Sequence, residues 1–248
     1  LFGRLRSGAL AFRADAEAQA AALDGVKVAV VADTVLAYVD LCGATRSLAV
    51  VQEQVALQDR ALTIIRSQLA AGEVSPLEVS QAANLVASTK ATIAPLEAAQ
   101  ANARYRLATL AGRPAGEARS NPVTCSAPPK LRNAAPVGDG TALLLRRPDI
   151  REAERRLAAA TARIGVARAD LYPRINLGGA LGLLSGGLVA TSSPLVSWAF
   201  PNQAPARARI EQAEATERAA LAGWDVAVLR ALREVETALA AYDAEVRR

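Results

Sequence analysis

Histidine and methionine are both missing from the 248 residues, and aromatic side chains make up only 4%. Without imidazole, histidine-based acid–base catalysis and histidine-ligated metal centres are excluded within the sequence. Without methionine it does not open on an initiator. Leu1-Phe2-Gly3-Arg4 also lacks the basic start, apolar run and small-residue cleavage site of a signal peptide, so the sequence reads as an interior piece of a longer or processed protein. Cysteine is scarce: Cys42 and Cys125 form no CxxC, which leaves zinc and dithiol chemistry without a signature. Cys42, in a helical apolar stretch, is expected to be a small buried hydrophobe, and Cys125 falls in a proline-rich linker. Asn121-Pro122-Val123-Thr124 is not the apolar segment that precedes a lipid-attachment cysteine.

Lysine is nearly absent as well. Only Lys27, Lys90 and Lys130 occur, so the net charge of +5 is almost all arginine. Those arginines alternate with Asp and Glu along helical stretches, which describes solvated helix faces and gives no ground for a nucleic-acid partner. No apolar run is expected to reach the ~18–20 residues of a transmembrane helix, so any membrane contact would be made another way. No paired carboxylates, nucleophile constellation or phosphate loop is visible, and Gly178-Gly179 and Gly186-Gly187 lack the strand-then-helix setting of a nucleotide site. An enzyme is not expected, nor a cofactor.

What is abundant is alanine, 58 residues in all, within a composition that is 52% hydrophobic. Small side chains on that scale suit closely packed helices. The first proline is Pro76, and nothing from Leu5 to Ala71 forbids helix, although Gly25 and Gly43 each cost about 1 kcal/mol relative to Ala. Leu41, Leu48, Val55, Leu62 and Leu69 recur every seven residues, with Val51 and Ile65 on a second seam, the pattern of a left-handed coiled-coil contact. At 1.5 Å per residue the span would be roughly 100 Å long, so it belongs to an elongated object or it breaks.

Ala71-Gly72-Glu73-Val74-Ser75-Pro76-Leu77 reads as a reversal: Gly72 can take the left-handed cap, Ser75 can cap the next helix and Pro76 fits its first turn. A second heptad array follows. Val79, Val86, Ile93 and Leu107 mark one seam, with Gln100 as a polar interruption; Ala82, Thr89, Leu96, Ala103 and Leu110 mark the other. Pro95 should kink or split this helix near Ile93. Residues 5–71 and 75–111 thus predict a long antiparallel helical hairpin. Residues 112–140, rich in Pro, Gly, Asn and Ser, predict an irregular connection. Helix resumes at Arg147-Pro148-Asp149-Ile150 and runs to Tyr172.

The period then changes. Ile175, Leu177, Leu181 and Leu183 alternate with Asn176, Gly178, Ala180 and Gly182 over residues 174–184, eleven positions, close to the ~9–11 of a tilted transmembrane strand. A loop is expected from Ser185, and a second strand from Leu195 to Phe200 with Val196, Trp198 and Phe200 on one face. Tyr172, Trp198 and Phe200 are placed for an aromatic girdle at a lipid–water boundary, although an ordinary soluble hairpin accounts for the alternation equally well. After Pro205 the pattern predicts a helix to residue 248, with Leu221, Val228, Val235 and Tyr242 spaced by seven, and the expectation is that the sequence stops mid-helix.

An internal repeat organises these pieces. At an offset of 198, residues 21–31 match 219–229 at seven of eleven positions, and Phe2 meets Phe200. The simplest account is duplication of a helix–strand–strand–helix unit, with residues 1–4 as the tail of a first hairpin lying upstream. Two hairpins make four strands. A closed transmembrane barrel needs about eight or more, so transmembrane strands would have to be pooled among chains.

At this point the residues resemble a known family. The string Leu145-Arg146-Arg147-Pro148-Asp149-Ile150-Arg151, continuing through Ala153-Glu154-Arg155-Arg156-Leu157 to Asp170-Leu171-Tyr172-Pro173-Arg174-Ile175, is similar to the outer membrane factors. These are the TolC-like exit ducts of tripartite efflux pumps, and the NodT-type efflux lipoproteins are the branch most resembled. Leu1-Phe2-Gly3-Arg4-Leu5-Arg6, Ile93-Ala94-Pro95-Leu96-Glu97 and Leu110-Ala111-Gly112-Arg113-Pro114 support the likeness. It implies a mainly α fold with a small transmembrane β part, long antiparallel coiled-coil helices and β-hairpins that form a shared barrel in a homotrimer. Residues 1–111 would be the first repeat with its tip hairpin, 112–140 the equatorial linker, and 141–248 the second repeat (helix 147–172, hairpin 174–200, helix 205–248).

The resemblance further implies a passive outer-membrane conduit for small molecules that extends into the periplasm and is lipid-anchored through an upstream cysteine. Its partners would be a periplasmic adaptor protein, an RND-type inner-membrane transporter and outer-membrane lipid. Residues 71–77 would be the adaptor-docking tip. Ile175, Leu177, Leu181, Leu183, Val196, Trp198 and Phe200 would face lipid, and Asn176, Gly178, Ala180 and Gly182 the lumen. A periplasmic adaptor would also carry a helical hairpin, but with a lipoyl-like β module that is not visible. A coiled-coil scaffold would leave the strands and the repeat unexplained.

Overall fold

The computed structural model describes residues 2–120, 123–125, 127–129, 140–184, 187–198 and 200–247. Within the two strands, side chains are described for residues 174–176, 178 and 193–197. The chain order is α1 (Arg4–Ala70), α2 (Pro76–Ala91), α3 (Ile93–Leu110), α4 (Glu117–Ser120), α5 (Gly140–Arg146), α6 (Pro148–Arg168), a 3-10 turn (Ala169–Leu171), β1 (Arg174–Leu184), β2 (Gly187–Ser197) and α7 (Ala204–Arg247). Two compact units result, residues 1–26 with 136–248, and residues 27–135.

In the second unit the heptad seams become the helix contact. Leu41, Val55 and Leu62 of α1 are buried, and so are Val86 of α2 and Ala103 and Leu107 of α3. Ala37, Leu41, Ala103 and Leu107 form one core cluster, with Tyr38 and Leu110 packed against it. The polar interruption is satisfied in place: Gln100 Nε2 donates to Thr45 Oγ1 at 2.9 Å, and the Thr45 hydroxyl donates to the Leu41 carbonyl at 2.7 Å. Ion pairs Lys90–Asp59 at 2.9 Å and Arg106–Asp33 at 2.9 Å fix the antiparallel register. The chain breaks between α2 and α3 at Thr92, three residues before Pro95, whose missing N–H and ring cannot be placed deeper in a continuous helix.

The first unit is built from smaller parts. The N-terminal stretch of α1 buries Ala11, Ala14, Ala18 and Ala21, α6 buries Ile150, Ala159 and Ala160, and α7 buries Ala206 and Ala231. Helices that touch through alanine come close, and charged side chains at the margins then set the register. Arg163–Asp15 at 2.6 Å, Arg155–Glu17 at 3.4 Å and Arg151–Asp24 at 3.1 Å form antiparallel rungs between α6 and α1. Arg168–Glu214 at 3.2 Å and Arg147–Glu234 at 2.6 Å do the same between α6 and α7. Gly165 faces Ser7 so closely that an added Cβ would sit 2.6 Å from Ser7 Oγ.

Several expectations are corrected. Cys42 and Cys125 are not two separate thiols; they form a disulfide across 83 residues, with Cα atoms 5.2 Å apart. Spacing hid the pair, because only the folding of residue 125 back onto the α1–α3 hairpin makes them neighbours. The connection over 112–140 is not wholly irregular: α4 forms where Glu117 N–H donates to the Pro114 carbonyl at 3.0 Å, and α5 begins at Gly140. On α7 Val228, Val235 and Tyr242 of the expected seam are half-buried, but Leu221 is 42% exposed and the stripe runs there through Ala220 and Trp224. Finally, α1 contains an 18-residue window long and apolar enough to cross a membrane by length and composition. Asp33 and Asp40 interrupt the apolar runs of α1 in sequence, and both reach Arg106 of α3, at 2.9 and 3.6 Å.

Candidate functional site

Two regions hold the residues singled out from the sequence. The first is the reversal at 71–77, which ends α1 with two bonds of a Schellman cap. Glu73 N–H donates to the Gln68 carbonyl and Gly72 N–H to the Leu69 carbonyl, each at 2.9 Å, with Gly72 at φ 76°. The next helix is capped by its own third residue. Ser75 N–H donates to Glu78 Oε2 at 2.7 Å, and Pro76 occupies the first turn. Ala71, Gly72, Glu73, Ser75, Pro76 and Leu77 are exposed, and Val74 is half-buried. The reversal therefore presents a hydrogen-bonded, glycine-enabled turn with Leu77 65% exposed at its edge.

The second region is the β-hairpin. β1 and β2 are antiparallel over eleven pairs, from Arg174↔Ser197 to Leu184↔Gly187. The second strand is thus longer than the sequence suggested. It starts at Gly187 and ends at Ser197, so residues 187–194 are strand, and Trp198 and Phe200 lie just beyond it. Pro194, which cannot donate to a ladder, and the run Thr191-Ser192-Ser193 disguised it; proline is tolerated because β2 pairs on one side only among the described residues. The register sets Ile175 opposite Val196 and Asn176 opposite Leu195. Ile175 and Val196 are 52% and 66% exposed, Asn176 is exposed and Gly178 is half-buried. The backbones of Leu177, Ala180, Leu181, Gly182 and Leu183 lie in β1, and their side chains fall outside the described residues.

At the base of the hairpin the aromatics gather. Trp198 stacks on Phe200 with ring centroids 4.7 Å apart, and Tyr172 stacks on Phe2 at 4.8 Å. All four are about half exposed or more. Trp198 Nε1–H donates to the Leu171 carbonyl at 3.1 Å, tying β2 to the 3-10 turn that precedes β1. Phe2 lies outside the aromatic set that the sequence points to, although its alignment with Phe200 in the repeat is the available signal.

One residue beside Tyr172 and Trp198 in the same cleft was missed by sequence reasoning. Asp170, with its side chain 11% exposed, accepts bonds from Arg4 of α1, Arg174 of β1 at 2.5 Å and Arg209 of α7 at 3.3 Å. Burial pushes its carboxyl up, but Arg174 and Arg4 outweigh this and hold it below the ordinary carboxylate value. The start of α6 is pinned in the same manner: Arg147 bonds Asp149 bidentately at 3.1 and 2.8 Å and Glu234 at 2.6 Å, which lowers Asp149 and raises Arg147. Among the described residues no group of His, Cys, Asp and Glu could hold a metal ion. The arrangement offers hydrogen-bond donors, aromatic rings and a two-stranded sheet whose outer edges are unpaired among the described residues.

Comparison with known proteins fits this architecture. Residues 1–113 and 141–247 match the family model described as outer membrane efflux protein. Nodulation protein T of Rhizobium leguminosarum bv. trifolii is 33% identical over 99% of the chain and 55% of its own length. Outer membrane protein OprJ of Pseudomonas aeruginosa is 32% identical over 98% of the chain and 52% of its own length. The solved outer-membrane channel OprN superposes with a TM-score of 0.89 at 36% identity, covering 100% of this chain and 57% of that one. The structure of CusC gives 0.79 at 25% identity over 98% and 58%. The chain spans about half the length of the curated relatives it matches. With its helical hairpin, its paired strands and most of its length accounted for in this way, the chain belongs to the outer membrane efflux protein family.

Proposed function

We propose that this chain forms part of an outer-membrane channel subunit of a tripartite efflux pump, a passive exit duct for small molecules that continues into the periplasm. The observation that carries the reading is the hairpin. Two eleven-residue strands pair with each other and have no further neighbour among the described residues, and lipid tolerates no open strand edge. Strands of this length satisfy a bilayer only if several copies close them into one barrel. A homotrimer with four strands per subunit meets that need, which accords with a duplicated unit whose first hairpin ends at residues 1–4. Ile175, Leu177, Leu181, Leu183, Val196, Trp198 and Phe200 then face lipid, and Asn176, Gly178, Ala180 and Gly182 face the lumen.

The exposed apolar residues of α1, among them Val28, Val31, Val35 and Leu36 at 54–64%, suit burial against neighbouring helices of the same assembly. The reversal at 71–77 is the docking tip for a periplasmic adaptor, and an RND-type inner-membrane transporter supplies the energy. Family membership favours the duct over a periplasmic adaptor or a soluble scaffold. The test is Leu181→Arg in the full-length protein, since a mid-bilayer arginine costs roughly 2–4 kcal/mol. Loss of heat-resistant trimers from outer-membrane fractions is expected. Unchanged trimers would remove β1 from the lipid face, and a water-soluble monomeric wild type would remove the duct altogether.

A further inference from the structure

The charge balance around Asp170 is uneven. Three guanidiniums converge on one carboxylate, and among the described residues no other acidic side chain lines the cleft beside it. Each guanidinium carries five N–H donors, whereas a carboxylate offers about four lone-pair sites. The three arginine side chains are 41%, 43% and 60% exposed, so donors and net positive charge remain directed outward. The nearest basic neighbour on the preceding helix, Arg168, is occupied by Glu214 at 3.2 Å and does not share Asp170.

The cleft has a volume of about 330 Å³ and is lined by Asp170, Tyr172, Arg174, Trp198 and Arg209, among others. It therefore combines two kinds of wall. Guanidiniums match phosphate oxygens in fork geometry. Half-exposed Trp and Tyr rings, amphipathic by nature, settle at the headgroup level of a bilayer. A free anion would use the first wall and leave the second idle; a phospholipid uses both.

We infer that this cleft binds the phosphodiester of an anionic glycerophospholipid, with Arg174 and Arg209 on the phosphate and Trp198 and Tyr172 against the glycerol and upper acyl carbons. The inference rests on the membrane placement of β1 and β2 proposed above. Asp170 acts here as a positioning residue that holds the three arginines in one place.

The test uses the full-length trimer in dodecyl maltoside, titrated with dihexanoylphosphatidylglycerol and read by native mass spectrometry and calorimetry. Inorganic phosphate and dihexanoylphosphatidylcholine serve as parallel probes. Wild type is expected to retain phosphatidylglycerol in preference to both. Arg209→Gln, which leaves Arg4 and Arg174 on Asp170, is expected to form heat-resistant trimers and to bind at least fivefold more weakly. Arg218→Gln, an exposed arginine further along α7, should bind as wild type does. Undiminished retention by Arg209→Gln would overturn the inference, as would inorganic phosphate competing at equal concentration. Altered ion selectivity of the reconstituted Arg209→Gln channel with lipid retention unchanged would overturn it too, by assigning the guanidiniums to the lumen. A wild type that forms no trimer would sink the membrane reading itself, and the cleft's ligand with it.

Discussion

The two compact units solve the same problem, holding long helices in antiparallel register, with different materials. The unit of residues 27–135 uses large seam residues, Leu41, Val55, Leu62, Val86 and Leu107, and adds a disulfide. The unit of residues 1–26 and 136–248 uses alanine at nearly every buried position and leaves register to five arginine–carboxylate rungs. Burial stabilises in proportion to apolar area, so the first design gains more per contact. The second gains closeness, at the expense of sensitivity to anything that enlarges a side chain or removes a charge. The difference teaches that alanine-rich helices lean on electrostatic indexing along their whole length, where the leucine-rich ones combine a self-aligning seam with the two pairs Lys90–Asp59 and Arg106–Asp33.

The largest expected effect tests the leucine-rich unit. Cys42→Ser with Cys125→Ser opens an 83-residue loop, for which the chain-entropy account gives about 4.5 kcal/mol of lost stability. Hydrogen exchange of the full-length protein should show amides of α3 and the middle of α1 opening more easily, and amides of α6 and α7 little changed. Equal loss of protection in both units would mean that the staple supports more than its own hairpin.

The next effect belongs to the alanine-rich unit. Gly165→Val places a Cβ within 2.6 Å of Ser7 Oγ and 3.1 Å of Ser7 Cβ. Overpacking of that kind costs about 2 kcal/mol. Adding Ser7→Gly should recover much of it, because the obstructing atoms belong to that one side chain. A urea-melt cycle measures the coupling, and additive costs would show that the clash is relieved elsewhere. Gly72→Ala should cost less, about 1 kcal/mol. Nothing lies within 4 Å of the added methyl, and only the left-handed backbone at φ 76° objects. The two glycines thus separate steric from conformational demand, and a tip variant more damaging than Gly165→Val would reverse the ranking.

How much of this was legible beforehand follows the same divide. Of the large residues that period seven named on the main seams, Leu41, Val55, Leu62, Val86 and Leu107 are buried and Leu48, Leu69, Val79 and Ile93 half-buried, because a seam of large residues writes itself into spacing. Gly72, Ser75 and Pro76 were readable because a helix end has strict chemical needs. The alanine contacts were not readable residue by residue: with 58 alanines in the sequence, burying one instead of its neighbour leaves no trace in composition, which is why the stripe of α7 passed through Ala220 and Trp224 and not Leu221. The hub at Asp170 was hidden for another reason. Its arginines come from positions 4, 174 and 209, and only tertiary folding brings them to one carboxylate. The disulfide escaped on the same ground, and the N-terminal half of β2 escaped because Pro194 and three hydroxyl residues break the apolar alternation.

The smallest effect, and the one that separates the two designs without a mutation, is pH. Glu17, Asp149 and Asp170 are all in the arginine-indexed unit, and in the folded chain each carboxyl is held below its ordinary value. For Glu17 the leading cause is the bond from Arg13, for Asp149 the bond from Arg147, and for Asp170 the arginines that overcome burial. A carboxyl lowered in the folded state binds fewer protons there than in the unfolded chain, so stability rises with pH through that range. The contribution is complete above the ordinary carboxylate value near pH 4 and disappears as pH falls through the lowered values. Acidification from pH 6 to pH 3 should therefore loosen α6 against α1 and α7 before it loosens α2 and α3 against α1. Hydrogen exchange corrected for intrinsic rates reads this directly. In Asp170→Asn the acid sensitivity near the 3-10 turn should shrink while that near Arg147 persists; a uniform acid response in α3 and α6 would mean that the arginine rungs do not set the register of the alanine-packed unit.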